Sequence, residues 1–126
     1  MLNQWYRERL REQIPGLLRK WERKVGVDAA EVRIRRMKTK WGSCNAQARR
    51  IWLNLELAKK SASSLEYILV HEMIHIHERR HGERFREMMD GVMPGWQSHR
   101  AELNRAPLAR EDWRYRRGPP PRAQGV

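Results

Sequence analysis

The sequence predicts a single α+β domain in which helices flank a short region of strands. Three observations support this class. Apolar residues recur every three or four positions over residues 3–25, alternate with outward-facing residues between 31 and 57, and return to helical spacing after residue 62. The 126 residues leave room for one domain. No run of about 18 apolar residues occurs, so a transmembrane helix is not expected.

The first element is an amphipathic helical region over residues 3–25. Its apolar side chains include Leu10, Ile14 and Trp21, and basic residues occupy the opposite face. Because proline lacks the helical N–H donor, we expect a break or kink at Pro15, near the first turn of a second helix. Gly26 is expected to end that second helix as a left-handed cap.

Two strands are predicted next, each with one buried face. Val32 and Ile34 alternate with charged residues, and apolar residues alternate again over 51–57. Residues 41–49 contain glycine, serine and asparagine in a composition that suits a turn. We therefore expect two neighbouring antiparallel strands.

The central helix is predicted to run from Leu65 to about Arg79, opened by a capping box over residues 63–66. It is apolar on several sides, which is typical of a helix at the centre of a domain. Short helices over 82–94 and 97–105 follow. We expect residues 1–106 to form the domain, with 1–30 as its N-terminal helical part, and 107–126 to form a basic, Pro/Gly-rich tail.

The central helix carries His71-Glu-Met-Ile-His75. Histidines at i and i+4 project from one helical face, so their imidazoles can converge on one Zn²⁺. Glu72 is placed to reach the water that the metal activates, and we predict that it is the catalytic base. Two unpaired imidazoles would be costly to bury in so apolar a helix, which favours a metal site. One zinc ion is the expected cofactor, and other divalent transition metals also suit imidazole ligands.

Three protein ligands and an open position fit this chain better than a closed structural site, because Cys44 is its single cysteine. Two nearby residues are excluded as the third ligand by helical geometry. On a continuous helix Glu78 lies about 10.5 Å along the axis from His71, and His77 points to the opposite side.

His81 is the predicted third ligand. If the central helix ends just before it, a turn that Gly82 permits can bring its imidazole back to the metal. The spacing of His71, His75 and His81 matches a longer zinc-protease pattern. His99 and Glu102, on the last predicted helix, stay as alternative ligands.

Several segments occur together in the order of a known family. They are Arg36-Met-Lys-Thr-Lys-Trp-Gly-Ser-Cys44, Ile51-Trp-Leu-Asn-Leu, Tyr67-Ile-Leu-Val-His-Glu-Met-Ile-His75, His81, Phe85, Pro94-Gly-Trp96 and Leu103. The chain thereby resembles the YgjP-like metallopeptidase domain, a bacterial relative of SprT-like and other zincin-type metallopeptidases.

The resemblance implies a zincin-like fold, in which a small, mostly antiparallel sheet packs on the His-Glu-x-x-His helix between flanking helices. It also implies that His71, His75 and His81 are metal ligands and that Glu72 is the catalytic base. A strand edge beside the metal would bind an extended peptide by strand addition.

The charge of the chain indicates an anionic partner. Its 27 basic and 15 acidic residues give a net charge of +12, and residues 1–60 carry 16 of the basic and 6 of the acidic side chains. We expect the basic strand over residues 33–40 to form a wall of the substrate groove. Its predicted substrate contacts, which would favour acidic or phosphorylated ligands, are Arg35, Arg36, Lys38 and Lys40.

Three functions fit these features. The first is a zinc-dependent metallopeptidase acting on a peptide or protein substrate. The second is a metal-dependent hydrolase of phosphorylated small molecules such as nucleoside triphosphates, with basic residues neutralising phosphates. The third is a non-catalytic nucleic-acid-binding module, which the basic N-terminal half supports but no recognised motif does. The single Cys44 and the absence of a signal pattern predict a cytoplasmic protein, and no feature specifies an oligomeric state.

Overall fold

A computed structural model describes residues 2–105 and residue 108. This part of the chain has a mixed α+β architecture of helices around one small sheet, which confirms the predicted class. The expected tail over 107–126 lies outside the described residues, except for Leu108. The elements in chain order are α1 (Leu2–Val25), β1 (Glu31–Arg35), β2 (Gly42–Asn45), β3 (Arg50–Asn54), a 3-10 helix (Leu55–Lys59), α2 (Ala62–His77), α3 (Glu83–Val92) and α4 (Trp96–Arg105).

The sheet has the strand order β1-β3-β2, so β3 lies in the middle. The two strands expected from the alternating pattern are neighbours, but they run parallel rather than antiparallel. The reason is an additional strand, β2, within the segment that the sequence indicated as a turn. The chain reverses once before β2 and once after it, so β2 pairs antiparallel with β3 and β1 runs in the same direction as β3.

Strand β3 ends at Asn54, three residues before the end of the alternating pattern. The Asn54 side chain is fully buried and donates hydrogen bonds to the carbonyl oxygens of Met37 (2.8 Å) and Lys40 (2.7 Å). Its Oδ1 accepts from the backbone N–H of Glu56 at 3.0 Å and thereby caps the 3-10 helix. One satisfied buried amide therefore fixes both the end of β3 and the loop that leads into β2.

Helix α1 is continuous, and the expected break at Pro15 is wrong. Its buried side chains Leu10, Ile14 and Trp21 lie on both sides of the proline and belong to the main core. Packing of that face holds the helix together although Pro15 removes one backbone hydrogen bond. The predicted cap is confirmed, because Gly26 follows the helix with a φ of 78°.

Helix α2 lies at the centre of the domain and contacts α1, α3, α4 and the sheet. Its N-cap is Ser61, two residues before the predicted capping box, because the Ser61 hydroxyl accepts from the backbone N–H of Ser64 at 3.3 Å. Glu66 has another role and accepts a hydrogen bond from the Trp21 indole at 2.6 Å. No helix in the described part is long and apolar enough to cross a membrane.

Candidate metal centre

Three imidazoles converge beside the C-terminal half of α2. His71, His75 and His81 each offer a ligand atom, and these atoms lie within 4.8 Å of one another. His81 Nε2 lies 2.7 Å from His75 Nε2 and 3.2 Å from His71 Nε2. Nitrogen ligands about 2.0–2.1 Å from a tetrahedral Zn²⁺ are about 3.3 Å apart, so the cluster has the size that such an ion requires.

The end of α2 explains how His81 reaches the other two histidines. The helix stops at His77, and Glu78 adopts an extended conformation (φ −132°, ψ 105°) that turns the chain away from the helix axis. The Glu78 carbonyl oxygen accepts a hydrogen bond from His75 Nδ1 at 3.0 Å. Because a carbonyl only accepts, Nδ1 carries the proton and the Nε2 lone pair of His75 is left for a metal.

Burial keeps these imidazoles neutral. Desolvation lowers the pKa of His71 to about 4, and the positive charge of Arg100 acts in the same direction. Desolvation also lowers the pKa of His75 to about 4, and the pKa of His81 is lowered mainly by the same cause. At neutral pH the cluster therefore presents nitrogen lone pairs rather than positive charges, as metal binding requires.

Phe85 of α3 holds the three imidazoles in place from one side. It is almost fully buried, and its ring centroid lies 4.9, 4.6 and 4.9 Å from those of His71, His75 and His81. Tyr67, one helical turn before His71, packs edge-on against that imidazole at 5.8 Å. The two aromatic rings restrict the orientations open to the histidines. The sequence contained both residues but gave no sign that they touch the cluster.

Glu72 is buried against β2. Its Oε2 lies 3.3 Å from His71 Nδ1, and burial raises the pKa of its carboxyl to about 8 against the opposing effects of His75 and Lys40. A Cβ atom on Gly42 would lie 3.1 Å from Glu72 Oε2 and 2.7 Å from Ile68 Cγ2. The glycine therefore allows β2 to approach α2 closely enough to enclose the carboxylate. Sequence reasoning missed this role of Gly42 because glycine also suits a turn.

A cavity of about 580 Å³ opens beside the cluster. Its walls come from β2 and the turn that follows it, from α2, and from the segment after α2. The lining consists of Lys40, residues 42–47, Glu72, His75, Arg79 and His81. The Glu72 carboxylate and two of the three histidines thus face a space large enough for a few residues of peptide.

The strand that borders this cavity is β2, not the basic strand β1. The strand order places β1 at the opposite edge of the sheet from β2, so the expectation that residues 33–40 form the groove wall is wrong for β1. Among the four predicted substrate contacts, only Lys40 lines this cavity in the described part, and Arg35, Arg36 and Lys38 do not.

Arg36 and Arg35 contact protein groups outside the cavity. The Arg36 guanidinium pairs with Glu56 at 3.1 Å, a residue that lies on the 3-10 helix. The Arg35 guanidinium lies 4.9 Å from the centre of the Trp52 ring. Their charges therefore belong to the surface around β1 and β3, and they do not reach the histidine cluster.

The alternative ligands do not join the cluster. Within the described residues, the group of side chains that could hold a metal ion contains neither His99 nor Glu102 nor Cys44. His99 packs beside Tyr67 with ring centroids 6.2 Å apart, and Glu102 is exposed on α4. Cys44 lines the cavity, where burial and the nearby Glu72 raise the pKa of its thiol to about 11.

Comparisons with known proteins agree with this architecture. Residues 1–106 match the model of a family described as YgjP-like, metallopeptidase domain. The crystal structure of the metallopeptidase zymogen of Pyrococcus abyssi abylysin is similar in fold, with a TM-score of 0.65 and 22% sequence identity. The match covers 71% of this chain and 90% of the abylysin chain. No curated protein matches the sequence.

Proposed function

The chain belongs to the YgjP-like metallopeptidase family, and we propose that it is a zinc-dependent metallopeptidase with Glu72 as its catalytic base. One observation carries the proposal. The Nε2 atom of His81 lies within hydrogen-bonding distance of the Nε2 atoms of both His71 and His75, beside a buried carboxylate and at the wall of an open cavity. A cluster of neutral imidazoles alone has no evident structural purpose at the wall of an open cavity.

The three histidines would hold one divalent ion. Zinc suits three neutral imidazoles with an open fourth position, and when bound it supplies a Lewis acid that acidifies water and polarises a peptide carbonyl. The hydrogen bond from His75 Nδ1 to the Glu78 carbonyl keeps the ligand nitrogen oriented toward the ion. Phe85 packs against all three rings and restricts their rotation, which would help to hold the ligand nitrogens in place around the ion.

Glu72 is proposed to move the proton. Its carboxylate accepts a proton from the attacking water and then delivers that proton to the leaving amine nitrogen. Burial against β2 raises the carboxyl pKa toward neutrality, where a group can act both as a base and as an acid. A Cβ on Gly42 would lie 3.1 Å from both Cγ and Oε2 of Glu72, so β2 passes close to the carboxylate and limits the space in which it can move.

Strand β2 is the proposed binding edge for the peptide. Within the described residues β3 is its strand partner on one side, and its other side borders the cavity. An extended peptide that pairs with residues 42–45 would run past His75 and Glu72. Backbone pairing would fix the position of the peptide with little dependence on its sequence. The side chains that line the cavity would then contact the side chains of individual peptide residues.

A paired turnover screen tests the proposal. The substrates are an unstructured protein and a set of nucleoside triphosphates. Each is incubated with the protein in three states: as purified, after its metal is removed by a chelator, and after zinc, cobalt, nickel or manganese is added back. We expect peptide cleavage that chelation abolishes and a restored ion returns. Cleavage that survives complete metal removal would contradict the proposal.

The alternative function is hydrolysis of phosphorylated small molecules at the same centre. The observation in its favour is that Lys40 and Arg79 line the cavity, where they could neutralise phosphates. In the same screen, metal-dependent phosphate release without any peptide cleavage would replace the peptidase proposal with this one.

A further inference from the structure

The cavity beside the histidine cluster carries more basic than acidic side chains. Apart from the histidines, its charged lining residues in the described part are Lys40, Arg79 and the proposed base Glu72. The other lining residues, over 42–47, are small or neutral and include no large apolar side chain. Apolar specificity pockets are normally lined by bulky hydrophobic groups, so this cavity does not select an apolar side chain.

Lys40 and Arg79 differ from the basic residues around them. Arg33 and Arg50 both pair with Glu31, and Arg36 pairs with Glu56. The side chains of Lys40 and Arg79 form no hydrogen bond or ion pair with other described residues. Their charges are therefore not committed to holding the fold together.

The two cations act on the site itself. Burial raises the pKa of Glu72 and the charge of Lys40 opposes that rise, which places the ammonium within electrostatic reach of the carboxyl. Arg79 similarly opposes the burial that raises the pKa of Cys44. Lys40 comes from the loop before β2 and Arg79 from the segment after α2, so the cations reach the cavity from two separate elements.

We propose that Lys40 and Arg79 form an anion subsite that selects peptides with an acidic or phosphorylated side chain next to the bond that is cut. The inference rests on the proposed peptidase function and adds its substrate class. A carboxylate or phosphate that met both cations would lie beside β2, because Lys40 precedes that strand and Arg79 is close enough to Cys44 within it to affect the pKa of its thiol. Both side chains are exposed, so each cation contributes the modest attraction of a surface ion pair, and the selectivity comes from the two acting together.

The same lining argues against a nucleotide as the preferred ligand. No tryptophan, tyrosine or phenylalanine lines the cavity in the described part, and its two imidazoles are the proposed metal ligands, so no aromatic ring there is free to stack on a base. The anion that fits is therefore one carried on an extended chain, with aspartate, glutamate and phosphoserine as its possible sources.

The test measures cleavage of matched peptides that differ at one position. An unstructured protein is first digested, and mass spectrometry identifies the cleaved bonds. Peptides around one such bond are then made with glutamate, phosphoserine, glutamine or lysine beside it. We expect kcat/KM for the glutamate and phosphoserine peptides to exceed that for the glutamine peptide by about tenfold, since each cation contributes up to about fivefold. The preference should fall toward unity as ionic strength rises.

Three variants locate the effect. Lys40→Gln and Arg79→Gln should each reduce the glutamate-over-glutamine preference by about threefold to fivefold. The preference is a ratio measured within one variant, so a change in activity common to both peptides cancels. Arg19→Gln removes the same charge from an exposed position on α1, outside this cavity, and should leave the preference intact. An equal loss in all three variants would show that net charge rather than a subsite is responsible, and would overturn the inference.

A binding measurement separates this inference from the function on which it rests. Glu72→Gln protein loaded with zinc is titrated with the same peptides by calorimetry. Preferential binding of the glutamate or phosphoserine peptide would support the subsite, whether or not any peptide is cleaved. A lack of cleavage would contradict only the peptidase proposal. Equal binding of the glutamate and glutamine peptides overturns the subsite even if both are cleaved.

Discussion

Replacing Gly42 with alanine tests how the fold places the proposed base. The added methyl group would lie 2.7 Å from Ile68 Cγ2 and 3.1 Å from both Cγ and Oε2 of Glu72. Ordinary carbon–carbon contacts are about 3.5–4.0 Å, so the closest contact is short by about 1 Å. Ile68 and Glu72 are one turn apart on α2. The methyl group must therefore push β2 away from the helix or displace the Glu72 side chain.

The magnitude follows from these distances. Overpacking a well-packed core costs about 1–3 kcal/mol in the free energy of unfolding, and we expect Gly42→Ala to fall in that range. Gly42 is not among the residues with positive φ, so the penalty arises from the close approach and not from backbone strain. A shift of about 1 Å in a catalytic group lowers kcat by about 100-fold. Metal affinity should change much less than turnover, because the three atoms nearest the added methyl group belong to Ile68 and Glu72 and not to a histidine.

The assay combines urea unfolding of the metal-free protein, zinc titration and peptide turnover. Gly16→Ala is the matched control, because a Cβ there meets nothing within 4 Å and the residue lies inside α1. That variant should be more stable by about 0.5–1 kcal/mol, with unchanged turnover. Wild-type stability and turnover in Gly42→Ala would refute the reasoning. Lower stability with full turnover would refute only the part that concerns Glu72.

Three further predictions concern other parts of the structure. His81→Ala should weaken zinc binding by more than about 100-fold, whereas His99→Ala should leave it unchanged, as measured by competition with a chromogenic chelator. The opposite result would identify His99 of α4 as the third ligand. Pro15→Ala should raise the free energy of unfolding, measured in urea, by about 1–3 kcal/mol, because it restores a backbone hydrogen bond inside a continuous helix. An unchanged free energy would show that α1 is not continuous in solution. In the metal-free protein the rate of Cys44 alkylation should keep rising up to about pH 11, because burial favours the neutral thiol, whereas a plateau near pH 9 would contradict that burial.

The parts of the site that depend on local geometry were predictable from the sequence. Histidines four residues apart share a helical face wherever the helix lies, so His71 and His75 could be paired without knowledge of the fold. His81 needed one more local event, the end of α2, which the structure places at His77. The turn through Glu78 that completes the cluster involves only four residues.

The sheet was harder to predict because pairing depends on distant parts of the chain. Strand β2 has only four residues, and their composition is typical of a turn. Its first residue, Gly42, is buried because it packs against α2. The periodicity of residues 31–57 could not show whether one reversal or two lay between β1 and β3. Without β2, the neighbouring strands were assigned the wrong relative direction.

Long-range contacts also decided which charges belong to the site. Arg36 forms an ion pair with Glu56, and Arg50 forms one with Glu31, although the partners are about 20 residues apart in the sequence. Nothing in the local sequence distinguishes Arg36 from Lys40, although only Lys40 lines the cavity. The basic segment therefore indicated an anionic ligand but could not identify the residues that meet it.

Helix α1 shows the opposite balance, in which tertiary packing overrides a local signal. Pro15 favours a helix break, but the buried side chains of Ile14 and Trp21 flank it and pack into the same core. Burial of a side chain of this size contributes about 1.5–3 kcal/mol, which is comparable to the cost of an internal proline. Propensity alone could not reveal that packing.

Glu72→Gln tests the central claim most directly, because the substitution keeps the size of the side chain and removes only its ability to take a proton. Zinc stoichiometry and turnover of an unstructured protein are measured on the same preparation. The account predicts one zinc ion per chain in both proteins and a fall in kcat of about 10²–10⁴-fold in the variant. Peptide hydrolysis at the wild-type rate by zinc-loaded Glu72→Gln would contradict the account.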